Sequence, residues 1–502
     1  MIGRNTLLIT AGTVLPLALG LVLVPVLTGS LGPERFGLLS IAWVVLEYSA
    51  LFDVGLGRAT TRAVTTALAR GGRDVSAIVG TSLVAQLLLG LLGGAILALG
   101  APWLAAAIVE RGPLAAEART SFLVLAATVP LILLGGVLRG LLEAAQRFDL
   151  STAVRIPSSS ATFIVSAVAA AHGATLPQIL WLLLLTRAVT CAALAWAARV
   201  AIPTLRWRWP GTAAHLRPLL GFGGWIALSS VVSPLLLYSE RMLLGAAVGL
   251  TAVAYYAAPY EAVSRLLILP ASLVTVLFPA VSAMAARADR DALLRVLGRS
   301  VRSVVLVLLP VVCVLIAFAE PLLGLWLGPA YAARSATILQ LLAFGALCNA
   351  AAYAPFVFVQ ALGRPDITGR LHVAELVVYL PLAWLLVSRY GAVGAALAWT
   401  ARVTVDAALV AAAATWLLRI PPRQLLTPRA LSLVVTALAL LAALCGAAAG
   451  ARRAPAGSVA AAAAALALFA VVVWRYVASD EERRSARALF GGGARASLTS
   501  VR

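Results

Sequence analysis

Runs of some twenty apolar residues follow one another along nearly the whole chain, and they restrict its fold more than any other feature. The hydrocarbon core of a bilayer, about 30 Å thick, is crossed by roughly 20 apolar residues in an α-helix. About fourteen runs meet that length. Six lie near Leu7–Leu27, Phe36–Phe52, Ile78–Leu99, Ser121–Leu141, Val154–Ala171 and Pro177–Ala198. Six more lie near Leu219–Ala247, Ala252–Val281, Val301–Phe318, Thr337–Leu362, Leu371–Val387 and Ala392–Leu418, and a final pair near Ala430–Ala449 and Ser458–Val477. With 62% hydrophobic and 12% charged residues, a soluble domain could not hide so much apolar surface. The expected class is an all-α polytopic membrane protein. Pro16 inside the first run, with no small-residue cleavage site after it, makes that run a span rather than a signal peptide.

Charge sets the orientation. The net charge is +20 and every basic residue is arginine. On a soluble chain such an excess points to nucleic acid; here the arginines punctuate apolar runs, so topology accounts for them and no nucleic-acid partner is expected. With the N-terminus in the cytoplasm, roughly 28 arginines fall inside, about 8 outside and about 3 within the membrane, a strong positive-inside bias. An even number of spans returns the C-terminus to the cytoplasm. No loop is long enough for a separate catalytic domain, the largest outer segment being Ala101–Thr120, so an enzyme is not expected. Cys191, Cys313, Cys348 and Cys445 sit singly in apolar runs without CxxC spacing, and His172, His215 and His372 are scattered. Neither a metal nor a cofactor is expected.

The chain also repeats itself. LGPERFGLLSIAW at Leu31–Trp43 echoes VGLTAVAYYAAPY at Val248–Tyr260, about 217 residues on, and the same offset carries Arg147-Phe148-Asp149 onto Arg364-Pro365-Asp366. TRAVTCAALAWAA from Thr186 likewise resembles TARVTVDAALVAAAA from Thr400. Six spans return a chain to its starting side, so the repeats are expected to be parallel six-helix units around a central cavity. The expected divisions are an N-terminal lobe, 1–200; a cytoplasmic linker, 201–218; a C-terminal lobe, 219–418; an added hairpin, 419–478; and a cytoplasmic tail, 479–502.

Several stretches, in order, resemble the polysaccharide-unit flippases of the multidrug/oligosaccharidyl-lipid/polysaccharide exporter superfamily. They are LTGSLGPERFGLLSIAW with LFDVGLGRATTRAV, GGVLRGLLEAAQRFDLSTAV, GFGGWIALSSVVSPLLLYSERMLLG, LLGLWLGPAYAARSATILQLLAF and ALGRPDITGRLHVAELVVYLPLAWLLVSRYGAVGAALAWTARV. Glu240 stands where the resemblance leads one to expect aspartate, a change that keeps the charge. The resemblance implies translocation of an isoprenoid-diphosphate-linked oligosaccharide across a bacterial inner membrane, with a polysaccharide polymerase and glycosyltransferases as possible partners. A multidrug-type cation antiporter of the same superfamily is the competing reading, and a membrane polymerase or ligase a weaker third.

A diphosphate crossing a low-dielectric slab needs cations in place of water, and the planar fork of arginine suits phosphate oxygens. The candidates are Arg187, Arg265 and Arg402 at mid-membrane, Arg241 nearer the outer face, and Arg58 with Arg62 at the inner mouth. Each has a plainer reading. Glu261 with Arg265, and Arg402 with Asp406, are i, i+4 pairs that neutralise each other. Arg241, beside Glu240, either joins the cavity or snorkels outward, and Arg58 sets topology. Glu47, midway along the second span with no arginine four residues away, either binds a coupling proton or sodium ion or pairs with Arg265. Glu143, flanked by Arg139 and Arg147, reads as a salt-bridge ladder. The prolines within spans, among them Pro16, Pro25, Pro234 and Pro259, either hinge the first and seventh helices or only kink them.

Overall fold

The computed structural model describes residues 2–53, 56–72, 74–109, 112–205, 224–287, 289–421, 428–450, 454–477 and 483. The linker arginines Arg206, Arg208 and Arg217, and nearly all of the expected tail, lie outside the described residues. The described chain is a succession of helices: α1 (Ile2–Tyr48), α2 (Leu56–Ala69), α3 (Val75–Ile108), α4 (Pro113–Ala144), α5 (Phe148–Ala171), α6 (Leu176–Ala201), α7 (Gly224–Ala247) and α8 (Leu250–Ser264). There follow α9 (Ile268–Ala286), α10 (Arg290–Ala317), α11 (Ala319–Leu327), α12 (Pro329–Ala361), α13 (Pro365–Leu417), α14 (Pro428–Gly450) and α15 (Pro455–Val472).

Eleven helical segments among the described residues are long and apolar enough to cross a membrane, which makes this a multi-pass membrane protein. The sequence pattern predicts about fourteen spans; two pairs of these are joined into single helices, and the seventh is not among the eleven. Helix α1 runs through two expected spans and breaks between them at Gly32 (φ 71°, ψ 169°). Helix α13 does the same at Gly391 (φ 57°, ψ −133°). Such backbone angles favour glycine, which has no Cβ to clash. The seventh expected span is α7; the eighth is α8 and α9, joined by a 3₁₀ turn at Arg265–Leu267.

The residues form two compact units. The first holds Met1–Arg265, Trp326–Ile338 and Gly369–Arg402; the second holds Leu266–Leu325, Leu339–Thr368 and Val403–Arg502. In the first, α2, α3, α4 and α6 enclose an apolar core built on Val64, Ile78, Leu138, Leu142, Leu194 and Ala198. Helices α3 and α4 approach closely because Gly90 and Gly94 lie against the backbone of Pro130 and Ala126. Small residues permit this where lipid tails, as apolar as leucine, leave close packing to drive helix association. The amphipathic α2 joins α3 through Thr60, whose hydroxyl donates to that of Ser82 at 2.8 Å. In the second unit, Leu277, Val281, Leu297, Val357 and Phe358 form one core. The hairpin α14–α15 packs Leu440, Leu444 and Phe469 against Leu309 and Cys313 of α10.

Local conformation recurs at the spacing seen in the sequence. Left-handed residues fall in pairs about 217 apart: Gly32 and Gly249, Gly112 and Gly328, Gln146 and Gly363, Gly173 and Gly391. The Arg147 side chain donates to Asp149 at 3.0 and 2.9 Å, and Arg364 to Asp366 at 2.9 and 3.1 Å. Each pair opens a helix, α5 and α13, with the acid in the first turn where the helix dipole favours it. Arg147 is thereby drawn away from Glu143, which keeps Arg139 alone at 3.9 Å; the expected three-residue ladder is a pair.

Candidate functional site

Within the first unit, four arginines and four glutamates from six helices or turns come together. Their centre is Glu261 on α8. Its Oε1 accepts from Arg241 Nη2 of α7 at 3.1 Å, and its Oε2 from Arg265 Nη2 at 2.9 Å. One carboxylate thus holds two guanidiniums, and the i, i+4 pairing of Glu261 and Arg265 read from the sequence is present. Arg241 lies over the Tyr260 ring at 4.7 Å, and Arg265 over Phe163 at 5.6 Å. A guanidinium over an aromatic face gains from the ring quadrupole, most where water is excluded. Arg241 does not snorkel outward. It is 3% exposed, because Glu261 and Tyr260 hold it inside.

Arg402 on α13 reaches Glu375, one long stretch back along the same bent helix, at 3.8 Å, and lies 5.4 Å over the Tyr379 ring. The Tyr379 hydroxyl donates to Glu240, which is 1% exposed beside Arg241 on α7. Tyr260 stacks on Tyr256 and meets Trp399 edge-on, so an aromatic wall joins the two groups of charges. Neither Glu375 nor Tyr379 belongs to the sequence-derived set of candidate residues. Glu375 was open to the test that singled out Glu47: an acid inside an apolar run.

Glu47 on α1 is not paired with Arg265, whose Nη2 donates to Glu261 instead. The cations that act on Glu47 are Arg187 of α6 and Arg241. Glu47 is ringed by these groups and by Tyr48 and Tyr238, yet its side chain is exposed, so it borders open space rather than packed protein. Asp406 belongs to the second unit. The side chain of Arg58 lies outside the described residues; its helix, α2, follows the 3₁₀ turn Ser49–Asp53 that closes α1.

Arg187, Arg241, Arg265 and Arg402 face Glu47, Glu240, Glu261 and Glu375, so the cluster is formally neutral when all eight are ionised. Buried charges persist in apolar surroundings when paired and hydrogen-bonded. Arg241 and Arg265 meet that condition, and Arg402 is paired with Glu375 at 3.8 Å. Among the described residues neither Glu240 nor Glu47 has an ion pair within 4 Å; Glu240 accepts from Tyr379, whereas Glu47 has no hydrogen-bonded partner and is the acid free to change the balance.

The profile of the polysaccharide biosynthesis protein family matches residues 26–336, most of the chain. The chain belongs to that family. A candidate O-antigen transporter of Shigella flexneri is 29% identical over 413 residues, covering 81% of this chain and 96% of its own. Among solved structures, the lipid II flippase MurJ in an inward closed conformation aligns with a TM-score of 0.73 at 13% identity, over 93% of this chain and 99% of its own. An inward-facing multidrug resistance transporter of the MATE family, in the MOP superfamily, aligns with a TM-score of 0.68 at 16% identity, over 82% and 98%. At these identities the structural matches establish a shared fold. That fold accommodates transporters of different cargo, so the residues of the cluster must decide the chemistry.

Proposed function

We propose that this member of the polysaccharide biosynthesis protein family is a flippase for an isoprenoid-diphosphate-linked oligosaccharide. The observation that carries the reading is the buried Arg241–Glu261–Arg265 triad, in which two guanidiniums share one carboxylate. One positive charge is left over in the triad, and the Arg265 Nε donor has no partner among the described residues. A diphosphate competing for the two forks would find charge-assisted, bidentate partners already in place. The Shigella flexneri relative is consistent with that cargo, and MurJ shows that the same fold serves a flippase.

Transport would follow alternating access by the two six-helix repeats, 1–200 and 219–418, with 419–478 as an added hairpin. The protein would lie in the bacterial inner membrane with both termini cytoplasmic, and act beside glycosyltransferases and a polysaccharide polymerase. Arg402 and Glu240 belong to the same buried network and would hold Tyr379 and the aromatic wall against the triad. Glu47 would carry the coupling proton or sodium ion. Arg58 would meet the headgroup at the cytoplasmic mouth, and Asp406 would balance the arginine one helical turn before it.

The test is leaflet exchange of a fluorescent isoprenoid-diphosphate sugar in proteoliposomes. Exchange catalysed by the wild type and lost in Arg265→Gln supports the reading. Absence of exchange, together with proton-linked efflux of organic cations, overturns it in favour of the cation antiporter.

A further inference from the structure

The first unit contains a second concentration of arginines, which adds Arg139 and Arg155 to the Arg187 of the buried cluster. A cavity of about 630 Å³ opens where α4 ends and α5 begins, and one of about 290 Å³ adjoins it. The two share Ile132, Gly136, Arg139, Ser151 and Arg155, so they form one continuous cleft. Helix α6 packs on both α4 and α5, whereas α4 and α5 scarcely touch, which leaves the space between them open.

Each helix turns one face to this cleft. Residues 132, 136, 139 and 143 of α4, residues 151, 155 and 158 of α5, and residues 187, 190 and 194 of α6 follow the three- and four-residue spacing of a helix face. Three arginines are spread along it: Arg139 at the rim beside Glu143, then Arg155, then Arg187 in the deeper part. From Ser151 to Ser158 the cleft follows α5 inward for about 10 Å. Among the described residues, neither the Arg155 nor the Arg187 guanidinium has an acceptor within hydrogen-bonding distance. Five N–H donors per guanidinium need acceptors, and arginine has none of its own to offer. Hydroxyls line the route between them, with Thr190 donating to Ser158 at 2.8 Å across α5 and α6. The acids at the outer part are engaged: Asp53 accepts from Gln86 and from the Gly57 amide, and Glu143 pairs with Arg139.

We propose that this cleft binds the phosphate or diphosphate group of a lipid, held by Arg155 and Arg187 and received at the rim by Arg139. The inference rests on the flippase reading and deepens it. The cleft ends at Arg187, which acts electrostatically on Glu47, so an anion moving along it arrives beside the acid of the buried cluster that has neither an ion pair nor a hydrogen-bonded partner among the described residues. The shared chemistry is a lipid phosphate; its source is either the isoprenoid-diphosphate substrate or an anionic phospholipid.

The experiment is equilibrium binding of tritiated farnesyl diphosphate to the purified full-length chain in detergent, with inorganic diphosphate and phosphatidylglycerol as competitors. Two variants attack the site by different routes. Arg155→Gln with Arg187→Gln removes the charges. Gly136→Leu extends into the cleft and leaves every charge in place; a Cβ at Gly136 meets no atom within 4 Å, so the side chain enters open space rather than packed backbone. Both variants should weaken binding about tenfold or more, the scale of one lost charge-assisted hydrogen bond. Arg187→Lys, which keeps the charge without the fork, should recover part of the loss. Competition by inorganic diphosphate but not by phosphatidylglycerol identifies the substrate headgroup, and equal competition by the phospholipid identifies a lipid site. Unchanged binding in both variants, with loss in Arg265→Gln, overturns this inference and leaves the flippase standing. No binding of any probe to the wild type overturns both.

Discussion

At the scale of residues, the cluster is governed by which charge can be removed without stranding another. Glu261 is the one acid bonded to both Arg241 and Arg265, and its side chain is 15% exposed. Glu261→Gln leaves two guanidiniums facing each other without a counter-charge. Breaking a buried pair from one side costs about 3 kcal/mol or more. The variant should melt well below the wild type in detergent, and by more than Arg265→Gln, which leaves Glu261 still paired with Arg241. Glu47 behaves differently, because it has no ion pair to lose. While ionised it completes a formally neutral set of eight; protonated, it leaves the set at +1. Diphosphate binding should therefore strengthen as pH falls in the wild type. In Glu47→Gln the charge stays at +1, so binding should be at least as strong and should lose most of that pH dependence. Binding titrations at several pH values measure both, and a wild-type slope preserved in Glu47→Gln would assign the titration to another acid.

Among the elements, the helices meet by close backbone approach at some glycines and leave room at others. A side chain at Gly94 would strike the Ala126 carbonyl, and one at Gly90 would strike the Pro130 backbone. Backbone cannot step aside as a flexible side chain does, so Gly94→Leu should lower stability by about 1–3 kcal/mol, the usual cost of overpacking. Gly298, inside α10, has nothing within 4 Å of a Cβ. Gly298→Ala should raise stability by about 0.5–1 kcal/mol through helix propensity alone. Thermal unfolding of the two variants beside the wild type measures the contrast. Equal effects of the two would mean that α3 and α4 are not in the close contact described. The breaks at Gly32 and Gly391 belong to a third group, where backbone angle rather than space requires glycine.

Over the whole molecule, what could be read from the sequence was whatever depends on one helix at a time. Apolar length located the spans, and the repeated motifs located breaks that recur about 217 residues apart. The Glu261–Arg265 contact was legible because one helical turn brings those positions together. Partners on different helices were not. Arg241 with Glu261, Tyr379 with Glu240 and Arg187 near Glu47 depend on how each helix is rotated about its axis, which no local pattern specifies. The break at Gly391 falls between two expected spans, but that it brings Arg402 to Glu375 depends on the angle of the bend, which span length does not specify. The distribution of arginine is also a property of the whole chain, and it makes a prediction about topology. A reporter that is active only outside the cytoplasm should be active when fused within Ala101–Thr120 and inactive after Arg70 or at the C-terminus. Each extra or missing span would exchange the sides of every later loop and destroy the arginine bias, so the three fusions together test both span number and orientation. Activity at the C-terminus with silence at Ala101–Thr120 would invert the proposed topology, and would place the Arg139–Arg155 cleft on the outer face, where a substrate headgroup leaves rather than enters.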